Sequence, residues 1–178
     1  MKTQLLDANK PEDIAAAGEI LRGGGLVAIP TETVYGLAAN ALDGRSVEKI
    51  FLAKGRPQDN PLIVHISAFE EMAPLVKEIP EAAKHLAAAY WPGPLTMISE
   101  KSDIIPPQVS AGLETVAVRF PSHPAAQAVI RAAGVPLAAP SANLSGKPSP
   151  TTAAHVLEDM DGKIEAVLDG GPCAVGVE

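Results

Sequence analysis

The nine residues Ile29-Pro30-Thr31-Glu32-Thr33-Val34-Tyr35-Gly36-Leu37 combine an apolar start with three closely spaced hydroxyl side chains. Apolar residues precede them without a spacer, so the pattern predicts one strand over residues 26–37, bent at its proline. In an extended backbone side chains alternate between two faces, so Thr31, Thr33 and Tyr35 would share one face. Such a face suits the wall of a site for a polar small molecule, and it equally suits an edge strand that faces water.

Length and composition limit the class of protein. At 178 residues the chain is long enough for one domain with a substantial core. Its formal net charge of -7 disfavours a protein whose main task is to coat nucleic acid. The single cysteine, Cys173, excludes an internal disulfide and a multi-cysteine metal site, and it fits a reducing cytosol. The sequence shows no signal peptide and no apolar run of the ~18 residues that a membrane span needs, so we expect a cytoplasmic protein.

Hydrophobic periodicity and the placement of glycine and proline predict the order of helices and strands. Helices are expected over residues 11–22, 46–54, 69–77, 80–90, 124–133 and 152–160, the last with Thr151 as its cap. Strands are expected over residues 26–37, 62–66, 95–99, 115–120, 136–139 and 164–168, with loops over 104–112 and 140–150. Because helices and strands are mixed without strict alternation, we predict a three-layer α/β domain around a mixed sheet.

Two cations follow the second predicted helix. Lys54 closes this helix and Arg56 stands two residues further on. If Gly55 lets the backbone extend, both side chains point the same way and, with nearby amide donors, suit a phosphate or a carboxylate. In the alternative, Lys54 complements the helix dipole and Arg56 is solvated.

Two further polar residues interrupt apolar strands. His65 breaks the run 62–66 directly after the loop that carries the two cations, which raises its functional interest above that of an ordinary core histidine. Arg119 shares a strand face with Thr115, and an arginine on an inner strand is costly to bury unless it is paired. An anionic ligand or Glu32 would supply that pair. In the alternative, the arginine lies at the strand end and reaches water.

The segment 140–150 leaves a buried strand and is rich in polar groups. It offers hydroxyls, an amide, a lysine and backbone N–H groups, which is typical of a phosphate-binding loop. A nucleophilic role for Ser141 is disfavoured, because the chain lacks a G-x-S-x-G elbow and a histidine base close to this serine. The turn 91–94 around the only tryptophan is interpreted as structural.

Six segments, spread over nearly the whole chain, resemble the YrdC-type threonylcarbamoyl-AMP synthase family. Each segment is weak by itself, but six in the family's order are highly specific. They are Pro30-Thr31-Glu32-Thr33-Val34-Tyr35-Gly36-Leu37, Lys54-Gly55-Arg56-Pro57 with Asn60-Pro61-Leu62, Trp91-Pro92-Gly93-Pro94-Leu95-Thr96, Val118-Arg119-Phe120-Pro121, Pro140-Ser141-Ala142-Asn143 and Asp169-Gly170-Gly171-Pro172-Cys173.

The resemblance implies a twisted mixed α/β sheet with a central concave cavity. It also implies an enzyme, a nucleotidyltransferase that makes threonylcarbamoyl-AMP and pyrophosphate from L-threonine, bicarbonate and ATP. Mg²⁺ would accompany the ATP, held by substrate oxygens and water and not by protein side chains. A downstream tRNA threonylcarbamoyl-transfer complex would use the product to modify an adenosine beside the anticodon, and tRNA or double-stranded RNA is a further implied partner.

The resemblance also assigns roles to residues of this chain. Those that would hold the nucleotide phosphates and the carbamate, the catalytic set, are Lys54, Arg56, Ser141 and Asn143. Those that would contact ATP are Arg56, Asn60, Thr115, Ser141 and Ser149. Those that would hold L-threonine are Thr33, His65, Arg119 and main-chain groups near Ala139, with Thr31 and Tyr35 as the cavity wall beside them.

The chain departs from the family pattern at residues 175–178. There the family continues into a Ser-Thr-rich strand and an arginine that close over the substrates, and longer members add a second domain. We therefore expect residues 1–178 to form a catalytic domain whose C-terminal continuation is missing, and to turn over poorly.

Two rival interpretations stay open at this point. One is a module that binds tRNA or double-stranded RNA without chemistry. The other is a different small-molecule enzyme on the same fold, such as a sugar-phosphate lyase. The second rival needs acidic metal ligands near residues 29–37, where Glu32 stands alone.

Overall fold

The computed structural model describes residues 1–55 and 60–174. Its strands are β1 (Gln4–Asp7), β2 (Val27–Pro30), β3 (Tyr35–Asn40), β4 (Ile63–His65), β5 (Thr96–Glu100), β6 (Thr115–Arg119), β7 (Leu137–Ala138) and β8 (Ala166–Asp169). Its helices are α1 (Pro11–Arg22), α2 (Gly44–Lys54), α3 (Glu81–Tyr90), α4 (Pro107–Ser110), α5 (Pro124–Ala133) and α6 (Ala153–Met160), with a 3-10 helix over Phe69–Leu75. No helix in this described part of the chain is long and apolar enough to cross a membrane.

The described strands form one eight-stranded sheet in the order β1-β8-β2-β3-β7-β4-β6-β5. The pairs β1–β8, β8–β2 and β4–β6 are parallel, and the pairs β2–β3, β3–β7, β7–β4 and β6–β5 are antiparallel. The predicted mixed α/β class is therefore confirmed. β4 lies inside the sheet, as its apolar sequence predicts, and β6 lies one strand from the edge.

Helices cover both faces of this sheet. Successive residues of β2 alternate between two apolar clusters: Val27 and Ile29 pack with α1 and α5, whereas Ala28 packs with the cluster that contains α2 and α6. The helices α1 and α5 approach closely at Gly18, where a Cβ atom would lie 2.7 Å from the backbone of Ala132. Two helical layers with a sheet between them confirm the predicted three-layer architecture.

The strand predicted over residues 26–37 is wrong in its middle. The chain forms β2, turns over residues 31–34 and returns as β3, so that Pro30 pairs with Tyr35. Thr31 and Thr33 therefore lie in a turn and do not share a strand face with Tyr35. The apolar residues on both sides of the turn are buried, and periodicity alone does not show that the chain reverses between them.

Other expectations need smaller corrections. Residues 4–7 form an edge strand that the sequence did not suggest, because its partner β8 lies at the other end of the chain. The segment expected as a loop over 104–112 contains the short helix α4. The helix expected from residue 69 is a 3-10 helix that contains Pro74. The cap of α6 is Thr152 and not Thr151, since its side chain accepts from the N–H of His155.

The tryptophan turn supports the end of β6. The ring of Trp91 packs against Phe69 and Phe120, with ring centres 6.3 and 6.4 Å apart. Its indole N–H donates to the carbonyl oxygen of Leu95 at 2.8 Å, and the N–H of Gly93 donates to Phe120 at 2.8 Å. Phe120 directly follows β6, so this turn fixes the place where the strand ends, in line with its structural interpretation.

Candidate active site

The turn over residues 31–34 is built around one hydroxyl. Thr31 Oγ1 donates to the carbonyl oxygen of Val34 at 2.6 Å and accepts from the N–H groups of Thr33 and Val34 at 3.2 Å. The hydroxyl oxygens of Thr31 and Thr33 lie 3.0 Å apart. Both threonines are buried, so the turn holds a compact pair of hydroxyls that its own backbone fixes.

An ion pair joins this turn to the end of β6. The guanidinium of Arg119 donates to Glu32 Oε1, and both side chains are largely buried. The other carboxylate oxygen of Glu32 accepts from the backbone N–H and the hydroxyl of Ser122. Two nitrogens of the guanidinium lie 3.4 Å from Thr33 Oγ1. The expectation that a buried Arg119 requires a partner is confirmed, and Glu32 is that partner.

His65 lies beside Arg119 in the sheet. β4 and β6 are parallel neighbours whose register pairs these two residues, and the N–H of Ile66 donates to the carbonyl oxygen of Arg119 at 2.9 Å. His65 is 3% exposed, and this burial lowers the pKa of its imidazole from 6.5 to about 4, although the carbonyl groups of Ile63 and Leu137 act in the opposite direction. The ring is therefore neutral at physiological pH and offers hydrogen bonds without a charge.

Lys54 ends α2 with its charge buried. Its Nζ donates to the carbonyl oxygens of Ser141 and Asn143, at 2.5 and 2.8 Å, and the residue is 3% exposed. These bonds offset the cost of removing an ammonium group from water. Gly55 has a left-handed backbone conformation with φ of 69° and ends the helix, so the condition of an extended backbone at this residue is not met. Arg56 lies outside the described residues.

The loop over residues 140–150 runs beside β3. Ser141 forms an isolated antiparallel bridge with Gly36. Asn143 Nδ2 donates to the carbonyl oxygens of Leu144 and Lys147, both at 2.8 Å. Its buried Oδ1 has no hydrogen-bond partner within the part of the chain that the structure describes. Asn143 therefore shapes the loop with its amide nitrogen and keeps an acceptor oxygen for a further donor.

The hydroxyl of Tyr35 links the hairpin to the chain that follows β8. Tyr35 is fully buried, and its hydroxyl donates to Gly171 at 2.7 Å and accepts from the N–H of Gly170 at 3.1 Å. Burial raises the pKa of this phenol to about 12. The backbone at Gly170 packs so closely on the hairpin that a side chain does not fit there, because a Cβ atom on Gly170 would lie 2.7 Å from Pro30 Cγ. The place of Tyr35 and Thr31 in a cavity wall stays a prediction.

A family model for Sua5, YciO and YrdC proteins, described as "Telomere recombination", matches residues 19–178. This chain belongs to the Sua5/YciO/YrdC family. The resemblance carried by the six sequence segments is thereby confirmed.

Individual relatives are similar over almost the whole chain. Threonylcarbamoyl-AMP synthase of Pyrococcus abyssi is 58% identical over 165 residues, which are 93% of this chain and 48% of that protein. Threonylcarbamoyl-AMP synthase of Bacillus subtilis is 56% identical over 177 residues, 99% of this chain and 51% of that protein. The crystal structure of P. abyssi Sua5 complexed with L-threonine has a TM-score of 0.96 at 53% identity, covering 100% of this chain and 53% of that one. The chain thus spans about half the length of the curated relatives it matches.

The other residues to which the family resemblance gives a role lie on several different segments of the chain. Asn60 is exposed ahead of β4, and Ser149 is partly buried in the 140–150 loop. Thr115 begins β6 and lies about 13 Å along the strand from Arg119, at ~3.3 Å per residue. Ala139 is buried directly after β7. The roles that the family resemblance gives to these residues stay predictions.

Two polar residues that sequence reasoning missed complete these contacts. Ser122 binds the carboxylate of Glu32, and Asp159 binds the 140–150 loop through the N–H of Leu144. Their partners are distant in sequence, by 90 and 15 residues, so no local motif marks them. Within residues 1–55 and 60–174, no group of three His, Cys, Asp or Glu side chains is arranged to hold a metal ion.

Proposed function

We propose that this chain carries the activity of a threonylcarbamoyl-AMP synthase, which converts L-threonine, bicarbonate and ATP into threonylcarbamoyl-AMP and pyrophosphate. Relatives that are 56–58% identical bear this name, which supports the proposal. The observation that carries it is the similarity, at a TM-score of 0.96, to a Sua5 structure complexed with L-threonine. The contact of Arg119 with Thr33 adds a buried cation and hydroxyl, the groups that suit an amino-acid carboxylate.

The proposed reaction has two bond-forming steps. Bicarbonate takes up a proton and loses water to give carbon dioxide. The amine of L-threonine attacks its carbon, a C–N bond forms while the electron pair of one C=O π bond moves to oxygen, and the nitrogen releases a proton, so that the net by-product is one water molecule. A carbamate oxygen then attacks the α-phosphorus of ATP. The new P–O bond forms as the bond to the bridging oxygen breaks, and pyrophosphate leaves with that electron pair. Because no bond to the protein forms, the protein contributes positioning and charge neutralisation.

We assign the L-threonine end of the site to the turn and to the ends of β4 and β6. In this proposal Arg119 faces the carboxylate and Thr33 supplies a hydroxyl, while main-chain groups near Ala139 help to hold the substrate. His65 contributes a hydrogen bond from a neutral ring. An uncharged imidazole suits this position, because a second cation beside Arg119 would repel it.

We assign the phosphate end to the 140–150 loop and the end of α2. The ammonium group of Lys54 lies directly against the Ser141–Asn143 backbone, so its charge is close to any phosphate that this loop binds. Ser141 and Asn143 supply polar side chains there, and Arg56 adds a second cation in the proposal. Further contacts to ATP are proposed for Asn60, Thr115 and Ser149.

We propose that Mg²⁺ enters with ATP as a counter-ion of the triphosphate. The described residues form no cluster of carboxylate and imidazole ligands, so triphosphate oxygens and water would supply most of its coordination. The product, a reactive mixed anhydride, would pass in the cytoplasm to a complex that transfers the threonylcarbamoyl group to tRNA.

Pyrophosphate release tests the proposal. The chain is incubated with ATP, bicarbonate and each amino acid in turn, and we expect release with L-threonine and loss of release when bicarbonate is omitted. Release that is indifferent to L-threonine would overturn the assignment. An RNA affinity that falls steeply with salt and needs no ATP, without pyrophosphate release, would favour an RNA-binding module instead.

A further inference from the structure

A carboxylate on α6 binds the loop that carries Ser141 and Asn143. Asp159 Oδ2 accepts from the backbone N–H of Leu144 at 3.0 Å, and its Oδ1 accepts from Lys147 Nζ at 3.2 Å. The side chain of Asp159 is 10% exposed, whereas that of Lys147 is 57% exposed. The amide contact is therefore the stronger of the two, because water and salt screen an exposed ammonium group.

We propose that Asp159 is a positioning residue for nucleotide binding, which fixes residues 141–147 in the shape that receives the phosphates of ATP. This inference rests on the proposed function. Leu144 directly follows Asn143, so the bond from its N–H to Asp159 sets the direction of the chain at Asn143. The N–H of Leu144 and the charge of Lys147 lower the pKa of the Asp159 carboxyl, so this anchor is ionised at neutral pH.

Two elements besides α6 hold the loop, namely β3 and α2. In β3, the carbonyl oxygen of Tyr35 accepts from the N–H of Ala142 at 2.9 Å, and Gly36 forms a bridge with Ser141. Lys54 of α2 binds the carbonyl oxygens of Ser141 and Asn143, and its own carbonyl oxygen accepts from the N–H of Ser145 at 3.0 Å. Among residues 1–55 and 60–174, the partners of Asn143 Nδ2 are carbonyl groups of the same loop, so these bonds shape the loop and do not attach it to another element. Without Asp159, β3 and α2 still hold residues 141–145, but the contacts of Leu144 and Lys147 with α6 are lost. ATP binding then has to order residues 144–147 at a cost in affinity.

The two ends of the site have separate supports. The L-threonine end depends on the ion pair of Arg119 with Glu32 and on the sheet, where the N–H of Ala139 donates to Ile63 at 3.1 Å. None of these bonds involves α6. A cleft of about 330 Å³ beside the loop is lined by both Asp159 and Ser149, so the anchor lies on the side of the proposed ATP contact. Loss of Asp159 is therefore expected to affect the nucleotide and spare L-threonine.

Direct binding measurements separate these effects. The probe is α,β-methylene-ATP, whose α–β bridge resists cleavage, and L-threonine binding is measured separately. Asp159→Ala is expected to weaken the nucleotide analogue about tenfold, the loss that follows from one hydrogen bond to a charged group, with L-threonine affinity unchanged. Asp159→Asn keeps an acceptor for the N–H of Leu144 and is expected to lose about two- to threefold. Asp161→Asn, at an exposed carboxylate directly after α6 that does not line this cleft, serves as the matched control and is expected to bind like the wild type.

The possible results distinguish a failure of the positioning role from a failure of the proposed function. Wild-type affinity for the analogue in Asp159→Ala, or equal losses for both ligands, would overturn the positioning role. If Asp159→Ala does not fold, Asp159→Asn decides, and an affinity equal to that of Asp161→Asn overturns the inference. A wild-type chain that binds L-threonine but never binds the analogue would overturn the proposed function itself, which is a different failure.

Discussion

Glu32 and Arg119 form a buried ion pair although 87 residues separate them in the chain. The same carboxylate also binds Ser122, three residues beyond the end of β6, so the turn over residues 31–34 and the strand end act as one unit. Thr33 lies against the guanidinium within this unit. Buried ion pairs are sensitive to the loss of one partner, because the remaining charge is left in a medium that solvates it poorly.

Glu32→Gln removes the charge and keeps the size of the side chain. We expect a loss of about 3 kcal/mol in the free energy of unfolding and weaker L-threonine binding, because Arg119 loses its counter-charge. Urea denaturation and L-threonine titration measure the two effects. Glu100→Gln is the control, since it breaks an exposed pair with Lys77 and is expected to change stability by less than ~1 kcal/mol. Similar losses in both variants would argue against a special role for the buried pair.

Thr33→Val preserves shape and removes the hydroxyl beside Arg119. We expect L-threonine affinity to fall by about five- to tenfold with the fold intact, as for the loss of one hydrogen bond. Thr3→Val is the control, because Thr3 is also buried and its hydroxyl binds Ile164 at 2.8 Å, on the β8 side of the sheet. That variant should lose stability and keep its L-threonine affinity. Unchanged affinity in Thr33→Val would remove this hydroxyl from the proposed site.

Tyr35→Phe removes the hydroxyl that links the hairpin to residues 170 and 171. The N–H of Gly170 and the carbonyl of Gly171 then lose their partner, so we expect a loss of about 1–3 kcal/mol in the free energy of unfolding. Tyr90→Phe, at a tyrosine that is 61% exposed, is expected to have little effect. Chemical denaturation of both variants tests this, and equal stabilities would show that the link contributes nothing.

The lowered pKa of His65 predicts that the free energy of unfolding depends on pH. Its pKa is about 4 in the native protein and 6.5 when unfolded, so between these values the unfolded chain binds more protons. The contribution of His65 to the free energy of unfolding should therefore be constant above pH 6.5. It should fall as the pH drops from 6.5 toward 4, by at most about 1.4 kcal/mol per pH unit. His123, whose pKa burial also lowers, adds a contribution of the same sign.

Denaturation at several pH values measures the slope. His65→Gln should flatten it, whereas His85→Gln, at an exposed histidine of α3, should leave it unchanged. A variant at position 65 with the wild-type slope would show that the imidazole is protonated in the native state or that it does not titrate in this range.

The sequence predicted those parts of the fold and the site that leave a local signal. Helix α1 begins and ends as its proline and glycines predict, and Gly55 ends α2. His65 and Arg119 could be singled out because a polar residue in an apolar strand requires a physical reason, and both are buried where two parallel strands end.

The parts that the sequence did not predict depend on contacts between distant segments. The reversal at residues 31–34 depends on the hydroxyl of Thr31, which binds the backbone of its own turn, and periodicity does not report such a bond. Asp159 and Ser122 are ordinary polar residues until the fold brings Leu144 and Glu32 to them. The strand β1 forms only because β8 provides an edge, so no local pattern predicts it.

The order of the strands also bears on how the protein is synthesised. The turn over residues 31–34 leaves the ribosome early, but its ionic partner follows 87 residues later. At ~5–20 residues per second, Glu32 stays solvated for roughly 4–17 s before the ion pair can form. The strand β7, which pairs with both β3 and β4, is synthesised after Arg119, and the loop over residues 140–150 follows it. The residues proposed for the L-threonine end are therefore all synthesised before α6, and the loop over residues 140–150 receives its anchor at Asp159 last.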